Sequence, residues 1–323
     1  MKQSELVLTE LAKKSKNGLE FAKKTILLEE VQSRKLRDAL EYFVSNWNDI
    51  THPGLFAAAY EAVHGGLQVP VPIQAAVAMI AAAFDIHDDI IDKSKLKHSK
   101  PTVFGKFGEE KALLLGNAFL IGGFTLLGIS LEGSQERAEV FEDIKQSLYE
   151  FGNAHALELS LKKRADARPE EYLEIVKMKA ASIEGDMRIG AIVGNGKQDE
   201  VEALAKYGRI LGTLAILREE FVDLFDAEEL NQRVSNEYVP IPMLLAMQDE
   251  ASKKKIEELL ANKTASVDSN ALVDVVLKTR NVRNLKKYMK KLVAEASRVL
   301  SGVRDSYTRN QLRNFASSIL EDL

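Results

Sequence analysis

The chain has 323 residues, a net charge of −4 at pH 7 and no cysteine. The absence of cysteine excludes disulfides, zinc–thiolate sites and thiol catalysis. The small negative charge gives no electrostatic basis for binding nucleic acid or an anionic membrane. The N-terminal segment is charged and amphipathic and lacks the apolar core of a secretory signal. These features predict a cytoplasmic protein.

Apolar residues recur at helical spacing along most of the chain, and alternating strand patterns are absent, which predicts an all-α fold in a single domain of residues 1–323. The longest apolar stretch, Leu113 to Leu131, is interrupted by Asn117 and four glycines and is predicted to be a buried helix. The predicted helices are Glu5–Ala12, Leu19–Trp47, Gly54–Gly65, Pro72–Asp92, Glu109–Leu131, Ser134–Leu161, Pro169–Val193, Gln198–Phe225, Pro242–Asn262, Ser269–Leu277 and Arg280–Leu323, the last with a break near Ser301.

An acidic cluster follows the Ala-rich apolar stretch that ends at Phe84. If this stretch is helical, Asp88 and Asp92 lie one turn apart on the same face, with Asp89 beside them. Carboxylates that repel each other share a cation readily, and hard oxygen ligands suit Mg²⁺. The cluster therefore predicts a metal site, with a solvated helix end as the structural alternative.

A second cluster of the same kind, Glu219, Glu220 and Asp223, ends another apolar stretch. Two such clusters facing each other across a helical bundle would form a multi-metal clamp for a diphosphate. The loop after the first cluster, Lys93 to Thr102, is strongly basic. Cations beside carboxylates are what an oxyanion ligand held through metal ions requires.

Several ordered landmarks between about residues 48 and 246 resemble those of the trans-isoprenyl diphosphate synthases, the polyprenyl synthetase family. They are His87–Asp92, Lys100–Thr102, Gly116–Asn117, Lys179–Ala181, Tyr207–Gly212 and Pro242–Ala246. The resemblance implies an isoprenoid synthase-type bundle of long helices around a central apolar cavity, usually as a homodimer. It also implies ionisation of an allylic prenyl diphosphate, assisted by several Mg²⁺ ions, and capture of the carbocation by isopentenyl diphosphate.

Matching positions give the implied site residues. Asp88, Asp92 and Glu219 correspond to the metal ligands, and Asp89, Glu220 and Asp223 support them or bind through metal-bound water. The resemblance assigns catalysis to Asp88, Asp92 and Lys179. It assigns substrate binding to Lys97, His98, Lys100, Lys179 and Phe84, with Phe84 at the floor of the cavity that receives the prenyl chain.

The chain departs from the family at the segment that binds isopentenyl diphosphate. Where the family has Gly-Lys-Arg-x-Arg-Pro, residues 48–53 place Asp49 for the lysine and Ile50 and His52 for the arginines. After the first cluster, Lys97 and His98 replace paired arginines. Because charge-assisted contacts are worth roughly 1.5–3 kcal/mol each, these changes predict weak binding of isopentenyl diphosphate.

Three functions remain open from the sequence. The first is an Mg²⁺-dependent prenyltransferase that uses an allylic diphosphate and transfers its prenyl group to isopentenyl diphosphate or to an atypical acceptor. The second is a terpene synthase-like diphosphate lyase with no second diphosphate substrate. The third is a non-catalytic subunit of a heteromeric prenyl synthase. The expected form is a soluble homodimer that contacts membranes through its lipid product and does not bind nucleic acid.

Overall fold

The computed structural model describes residues 2–64, 68–97, 99–161, 168–226, 230, 233, 239–261, 269–304 and 306–321. The first helices are α1 (Gln3–Leu27), α2 (Arg34–Asn46), α3 (His52–His64), α4 (Val71–Ile91), α5 (Val103–Phe107), α6 (Glu109–Ser130) and α7 (Arg137–Leu161). They are followed by α8 (Pro169–Lys179), α9 (Ala181–Val193), α10 (Gln198–Val222), α11 (Ile241–Ala246), α12 (Glu250–Ala261), α13 (Ser269–Lys278), α14 (Arg280–Val299), a 3₁₀ turn (Leu300–Gly302) and α15 (Tyr307–Ser318). The predicted all-α class is confirmed.

Two short strands interrupt this helical pattern. Strands β1 (Leu96–Lys97) and β2 (Lys100–Pro101) pair antiparallel, with Leu96 opposite Pro101 and Lys97 opposite Lys100. Each strand has two residues, too few to leave an alternating pattern in the sequence. The basic loop after the first acidic cluster is therefore a hairpin.

The chain forms two compact units. Unit 1 comprises residues 1–144, 185–204 and 303–309, and unit 2 comprises residues 145–184, 205–302 and 310–323. The boundaries between them fall within α7, α9, α10 and α15 or in the segment after the 3₁₀ turn. The assignment of the whole chain to a single domain stays a prediction.

In unit 1, α4 packs against α1, α3 and α6. Small residues let these helices approach closely, because a Cβ at Gly123 of α6 would lie 3.1 Å from the Ala76 carbonyl oxygen of α4. Alanines along α4, among them Ala75, Ala78 and Ala82, are fully buried or nearly so. This packing fixes the end of α4, where the first acidic cluster lies.

The predicted interruption of α1 between residues 13 and 18 is wrong, because Gly18 serves packing rather than a turn. A Cβ at Gly18 would lie 2.4 Å from Cγ of Gln74. The buried Gln74 amide donates hydrogen bonds to the carbonyl oxygens of Lys14 (2.7 Å) and Pro53 (2.8 Å). The glycine therefore leaves room for a side chain that ties α1 to α3 and α4.

In unit 2, α11 packs against α8, α13 and α14. The buried Tyr207 hydroxyl in α10 donates a hydrogen bond to the Leu312 carbonyl oxygen in α15 (2.6 Å). Gly212 allows α10 to approach the end of α8, since a Cβ there would lie 2.9 Å from the Cβ of Ala180. These contacts position the second acidic cluster at the C-terminal end of α10.

By length and composition alone, α4 and α6 could cross a membrane, but core helices pass the same test. The most apolar window of α4 is 61% buried, whereas that of α6 is 33% buried. The prediction that the segment from Leu113 to Leu131 is a buried helix is therefore wrong for much of α6. One face of this helix exposes Leu114, Ile121 and Ile129.

Candidate diphosphate site

The first acidic cluster lies at the C-terminal end of α4, in unit 1. The Asp92 N–H donates a hydrogen bond to the Asp88 carbonyl oxygen (2.9 Å), so the two residues are one helical turn apart, as the sequence predicts. Ile86 is buried on the opposite face of the helix, while Asp88, Asp89 and Asp92 are partly exposed. The buried face fixes the helix, and the three partly exposed residues lie at its end, with the Oδ1 atom of Asp88 buried.

The charges around this cluster are strongly coupled. Burial raises the pKa of Asp89 to about 7, with Asp85, Asp88 and Asp92 acting in the same direction and Lys97 opposing them. Asp85, one turn before Asp89, raises the pKa of Lys97, and their charged atoms are 3.7 Å apart. A cation supplied from outside would relieve the repulsion among these carboxylates.

The hairpin brings Lys97 to the cluster. Thr102 fixes its base, because its hydroxyl donates to the Ser94 carbonyl oxygen (2.7 Å) and accepts from the Gly105 N–H (2.9 Å). The Tyr42 hydroxyl donates to the Pro101 carbonyl oxygen (2.6 Å). Lys100 is exposed on β2, and His98 lies outside the described residues. The sequence gives no signal for the contribution of Tyr42, which comes from α2.

Phe84 and His87 lie just before the cluster on α4. Their ring centroids are 6.4 Å apart in an edge-to-face arrangement. His87 packs so closely against α6 that a Cβ at Gly116 would lie 2.4 Å from its Nε2 atom. Burial lowers the pKa of His87. The position of Phe84 at the floor of a prenyl pocket stays a prediction.

Two residues of the segment expected to hold a second diphosphate, Asp49 and His52, form hydrogen bonds there, and a third residue, Asp186, joins them from α9. The Oδ1 atom of Asp49 accepts hydrogen bonds from the N–H groups of Thr51 (2.8 Å) and His52 (3.2 Å), at the start of α3. The His52 Nδ1 atom lies 2.6 Å from Oδ2 of Asp186, which α9 contributes. Asp186 is 7% exposed. Sequence reasoning missed Asp186, since no local pattern marks it.

His52 is a cation in this arrangement. Burial lowers its pKa, but the charges of Asp186, Asp49 and Asp85 outweigh burial and raise the pKa to about 10. Burial raises the pKa of both Asp49 and Asp186, and His52 opposes this in each case. The His52 imidazole is therefore already paired with the Asp186 carboxylate through Nδ1.

The second acidic cluster, in unit 2, is dominated by a buried ion pair. Glu220 is 4% exposed, and its Oε1 atom accepts hydrogen bonds from Arg233 (2.9 Å) and the Tyr172 hydroxyl (3.0 Å). Its Oε2 atom accepts from the Ile241 N–H (2.8 Å). Burial and Glu220 raise the pKa of Tyr172 well above its ordinary value. Both Glu220 oxygens are engaged, so this geometry does not support Glu220 as a metal ligand.

The other two carboxylates of the cluster are held differently. Asp223 accepts a hydrogen bond from Arg233 (2.5 Å), so Arg233 bridges Asp223 and Glu220. Glu219 contacts the neighbouring Arg218 (3.0 Å), and its side chain is 61% exposed. Glu219 therefore has the freedom that a metal ligand needs, whereas Arg233 is part of the buried network and is not presented to a diphosphate.

Lys179 forms an ion pair with Glu158 in unit 2. Burial opposes ionisation of Glu158, but Lys179 outweighs it and holds the pKa of Glu158 below its ordinary value. The Tyr172 hydroxyl also contacts Glu158 (3.1 Å), which links Lys179 to the network around Glu220. An anionic ligand would compete with Glu158 for Lys179.

The donor atoms fit magnesium in chemistry, and a ligand would have to complete the coordination. Carboxylate oxygens at Asp88, Asp92 and Glu219 are the hard donors that Mg²⁺ prefers. Within the described part of the chain, no three acidic or histidine side chains converge closely enough to hold a metal ion. Because Mg²⁺ keeps several waters or phosphate oxygens when bound to protein, one or two carboxylates per ion are sufficient.

The comparisons with known proteins agree on the family. The model of the polyprenyl synthetase family matches residues 33–275. The short chain isoprenyl diphosphate synthase of Methanothermobacter thermautotrophicus is 28% identical over 239 residues, covering 72% of this chain and 73% of that protein. A protein of the same name from Methanocaldococcus jannaschii is 26% identical over 237 residues, covering 71% and 72%.

A solved structure gives the same fold over the whole chain. The geranylgeranyl pyrophosphate synthetase from Pyrococcus horikoshii superposes with a TM-score of 0.84 at 22% identity and covers 99% of both chains. The family match defines a class of enzymes that act on prenyl diphosphates. Within that class, the chain belongs to the polyprenyl synthetase family and is a prenyltransferase.

Proposed function

We propose that this prenyltransferase binds an allylic prenyl diphosphate through Mg²⁺ ions, with Asp88, Asp92 and Glu219 as the metal ligands that the resemblance to the family implies. The observation that carries the proposal is the pair Asp88 and Asp92, one turn apart and partly exposed at the end of a helix whose core-facing residues are buried. Asp89 and Asp223 support the ligands through hydrogen bonds or metal-bound water.

Lysines complete the binding of the donor. Lys97 is carried to the acidic cluster by the hairpin, and Lys100 is exposed on the adjacent strand. Lys179 turns from Glu158 to a diphosphate oxygen when the donor binds, because the diphosphate carries more negative charge than one carboxylate. These cations bind and orient the diphosphate and stabilise the charge that develops as it leaves.

The reaction begins with cleavage of the bond between C1 of the prenyl chain and the diphosphate oxygen, which keeps both electrons. Mg²⁺ held by Asp88, Asp92 and Glu219 would supply Lewis-acid stabilisation of the departing diphosphate. Apolar residues on α4 before the cluster, Phe84 among them, contact the prenyl chain and keep water from the carbocation. The carbocation is then captured by an acceptor.

A diphosphate lyase is the second candidate function. It is favoured by the arrangement of His52 between Asp49 and Asp186, which occupies the segment that the family uses for the second diphosphate. A lyase would resolve the same carbocation by cyclisation or proton loss and would release a hydrocarbon. Products therefore separate the two functions.

We also propose a homodimer in the cytoplasm, formed through α6. Leu114, Ile121 and Ile129 are 54%, 67% and 65% exposed on one face of this helix. Burying an apolar face of this size against the same face of a second copy satisfies the symmetry of a two-fold dimer. Any contact with a membrane would come through the lipid product.

The proposed donor site is tested by measuring diphosphate release from geranylgeranyl diphosphate during titration with Mg²⁺. Asp88→Asn is expected to lower the rate at least about 100-fold, since it removes the charge that holds the metal. Asp38→Asn, on the exposed side of α2, is the matched control and is expected to keep the wild-type rate. Equal rates for wild type and Asp88→Asn would contradict the proposal.

A further inference from the structure

The surroundings of residues 48–53, the segment at which the family binds isopentenyl diphosphate, carry an excess of negative charge. The strongest charged neighbours acting on Asp49, His52 and Asp186 are these three residues themselves and Asp85. Three carboxylates and one imidazolium sum to about −2 when all are ionised. Lys97, the nearest described lysine to Asp85, is already shared with that carboxylate at 3.7 Å and with the acidic cluster.

The arrangement is built into two packed helices. Asp49 caps the start of α3 through two backbone N–H groups, so its carboxylate is held in place by the fold. Asp186 is buried on α9, and α9 approaches α3 so closely that a Cβ at Gly190 would lie 2.3 Å from the Phe56 carbonyl oxygen. His52 cannot turn from Asp186 to an anionic ligand without leaving a buried carboxylate unpaired.

We propose that Asp49, His52 and Asp186 are specificity-determining residues that exclude a second diphosphate and select an uncharged or positively charged acceptor with an O–H or N–H group. This inference rests on the proposed function, because it identifies the acceptor class for the same transfer reaction. A diphosphate would face Asp49 and Asp85, and the cations described beside them, His52 and Lys97, are each already paired with a carboxylate. A hydroxyl or ammonium group would instead donate a hydrogen bond to a carboxylate.

The transfer step balances without another reactant. The bond between C1 and the diphosphate oxygen breaks, and the diphosphate leaves with the electron pair. A hydroxyl acceptor forms the new bond to C1 with an oxygen lone pair and then loses its proton. An ammonium acceptor first loses one proton, its freed nitrogen lone pair forms the bond, and the product keeps the positive charge. The proton that the acceptor loses passes to Asp49, whose Oδ2 atom accepts no hydrogen bond from the described residues.

The direct test is equilibrium binding of isopentenyl diphosphate, measured by calorimetry in the presence of Mg²⁺. The wild-type protein is expected to bind it at least about 100-fold more weakly than the double variant Asp49→Lys/His52→Arg, because each restored cation is worth about a factor of ten or more. Asp38→Lys is the charge-matched control on exposed surface and is expected to bind no better than wild type.

A milder variant keeps the test valid if the double variant does not fold. Asp49→Asn keeps the oxygen that caps α3 and removes only the charge, so it is expected to bind isopentenyl diphosphate several-fold better than wild type. Binding of farnesyl thiolodiphosphate, a non-reactive donor, is measured in parallel. A wild-type protein that does not bind farnesyl thiolodiphosphate would contradict the proposed function. The affinity for isopentenyl diphosphate decides the acceptor inference independently.

The acceptor class is tested with tyrosol and tryptamine in the presence of farnesyl diphosphate and Mg²⁺. A product with the mass of donor plus acceptor minus diphosphoric acid, formed by the wild type, supports the inference. Tight binding of isopentenyl diphosphate by the wild type would overturn it. So would a failure of both Asp49→Lys/His52→Arg and Asp49→Asn to bind isopentenyl diphosphate better than wild type. Donor turnover that yields only hydrocarbon in the presence of every acceptor would also overturn it.

Discussion

Burial and pairing give the two neighbouring glutamates of the second acidic cluster different chemistry. Glu220 is held by Arg233, Tyr172 and the Ile241 N–H in the interior of unit 2. Glu219 projects into solvent beside Arg218. A buried ion pair loses much of its value when one partner loses its charge, whereas an exposed pair contributes little to stability.

We expect Glu220→Gln to lower the free energy of unfolding by about 2–3 kcal/mol, because Arg233 would lose a buried charged partner. Its rate of diphosphate release below the unfolding temperature should remain within a few-fold of wild type. Glu219→Gln, the matched change at the next residue, should leave stability within about 0.5 kcal/mol and weaken the Mg²⁺ dependence of release at least about tenfold. Urea unfolding and release assays measure both effects.

The opposite pattern would show that Glu220 binds the metal. An inactive Glu220→Gln protein with wild-type stability, beside a fully active Glu219→Gln protein, would contradict the roles assigned here. The same pair of assays would then place the ligand in the interior of unit 2.

The site could be predicted from sequence only where its residues are close in the chain. Asp88 and Asp92 are separated by one helical turn, so helix geometry alone places them together. The pairing of His52 with Asp186 joins residues 134 positions apart, and that of Glu220 with Arg233 depends on the fold around α10. Long-range pairing of this kind leaves no periodic signal.

At the scale of elements, the contact between α3 and α9 controls the position of Asp186. Gly190 lies one turn after Asp186 on α9, against the Phe56 carbonyl oxygen. A side chain at this point must push the two helices apart, because a backbone oxygen cannot move aside as a flexible side chain can.

We expect Gly190→Ala to lower the free energy of unfolding by about 1–3 kcal/mol, the usual cost of overpacking. Gly152→Ala is the matched control on α7, where a Cβ would meet nothing within 4 Å. This change should raise stability by about 0.5–1 kcal/mol, since alanine is the better helix former. Equal effects of the two substitutions in urea unfolding would contradict the close approach of α3 and α9.

Helix ends were predictable where prolines and glycines cluster in the sequence. They were not predictable where no such residue marks the end of a helix. The C-terminal ends of α4, α6 and α9 lie within two residues of the predicted ones, but the predicted helix Pro169–Val193 is wrong in forming one helix, because the structure has α8 and α9 there. The predicted helix Leu19–Trp47 is wrong in its middle, because α1 ends at Leu27 and α2 begins at Arg34 without any proline or glycine between them. The short helix α5 was missed, since five residues are too few for a periodic pattern.

At the scale of the whole molecule, the proposed homodimer rests on the exposed apolar face of α6. A face with three large aliphatic side chains more than half exposed is costly to leave in water. A two-fold dimer through α6 would remove these side chains from water in both copies at once.

We expect the wild-type protein to sediment as a dimer and Ile121→Lys to sediment as a monomer at micromolar concentration, because two lysines would face each other across the axis. Leu28→Lys is the matched control, since Leu28 is a large aliphatic residue that is 86% exposed just after α1. A monomeric wild-type protein, or a dimeric Ile121→Lys protein, would be inconsistent with dimerisation through α6.

The most direct measurement is mass analysis of all products after incubating the purified protein with Mg²⁺ and geranylgeranyl diphosphate, with and without isopentenyl diphosphate. With tyrosol present in both reactions, prenyl transfer with an altered acceptor site predicts prenylated tyrosol, diphosphate release at the same rate in both, and no elongated diphosphate. A product longer by one five-carbon unit, formed only with isopentenyl diphosphate, would contradict the assigned acceptor class. Absence of diphosphate release under every condition would contradict the proposed donor site.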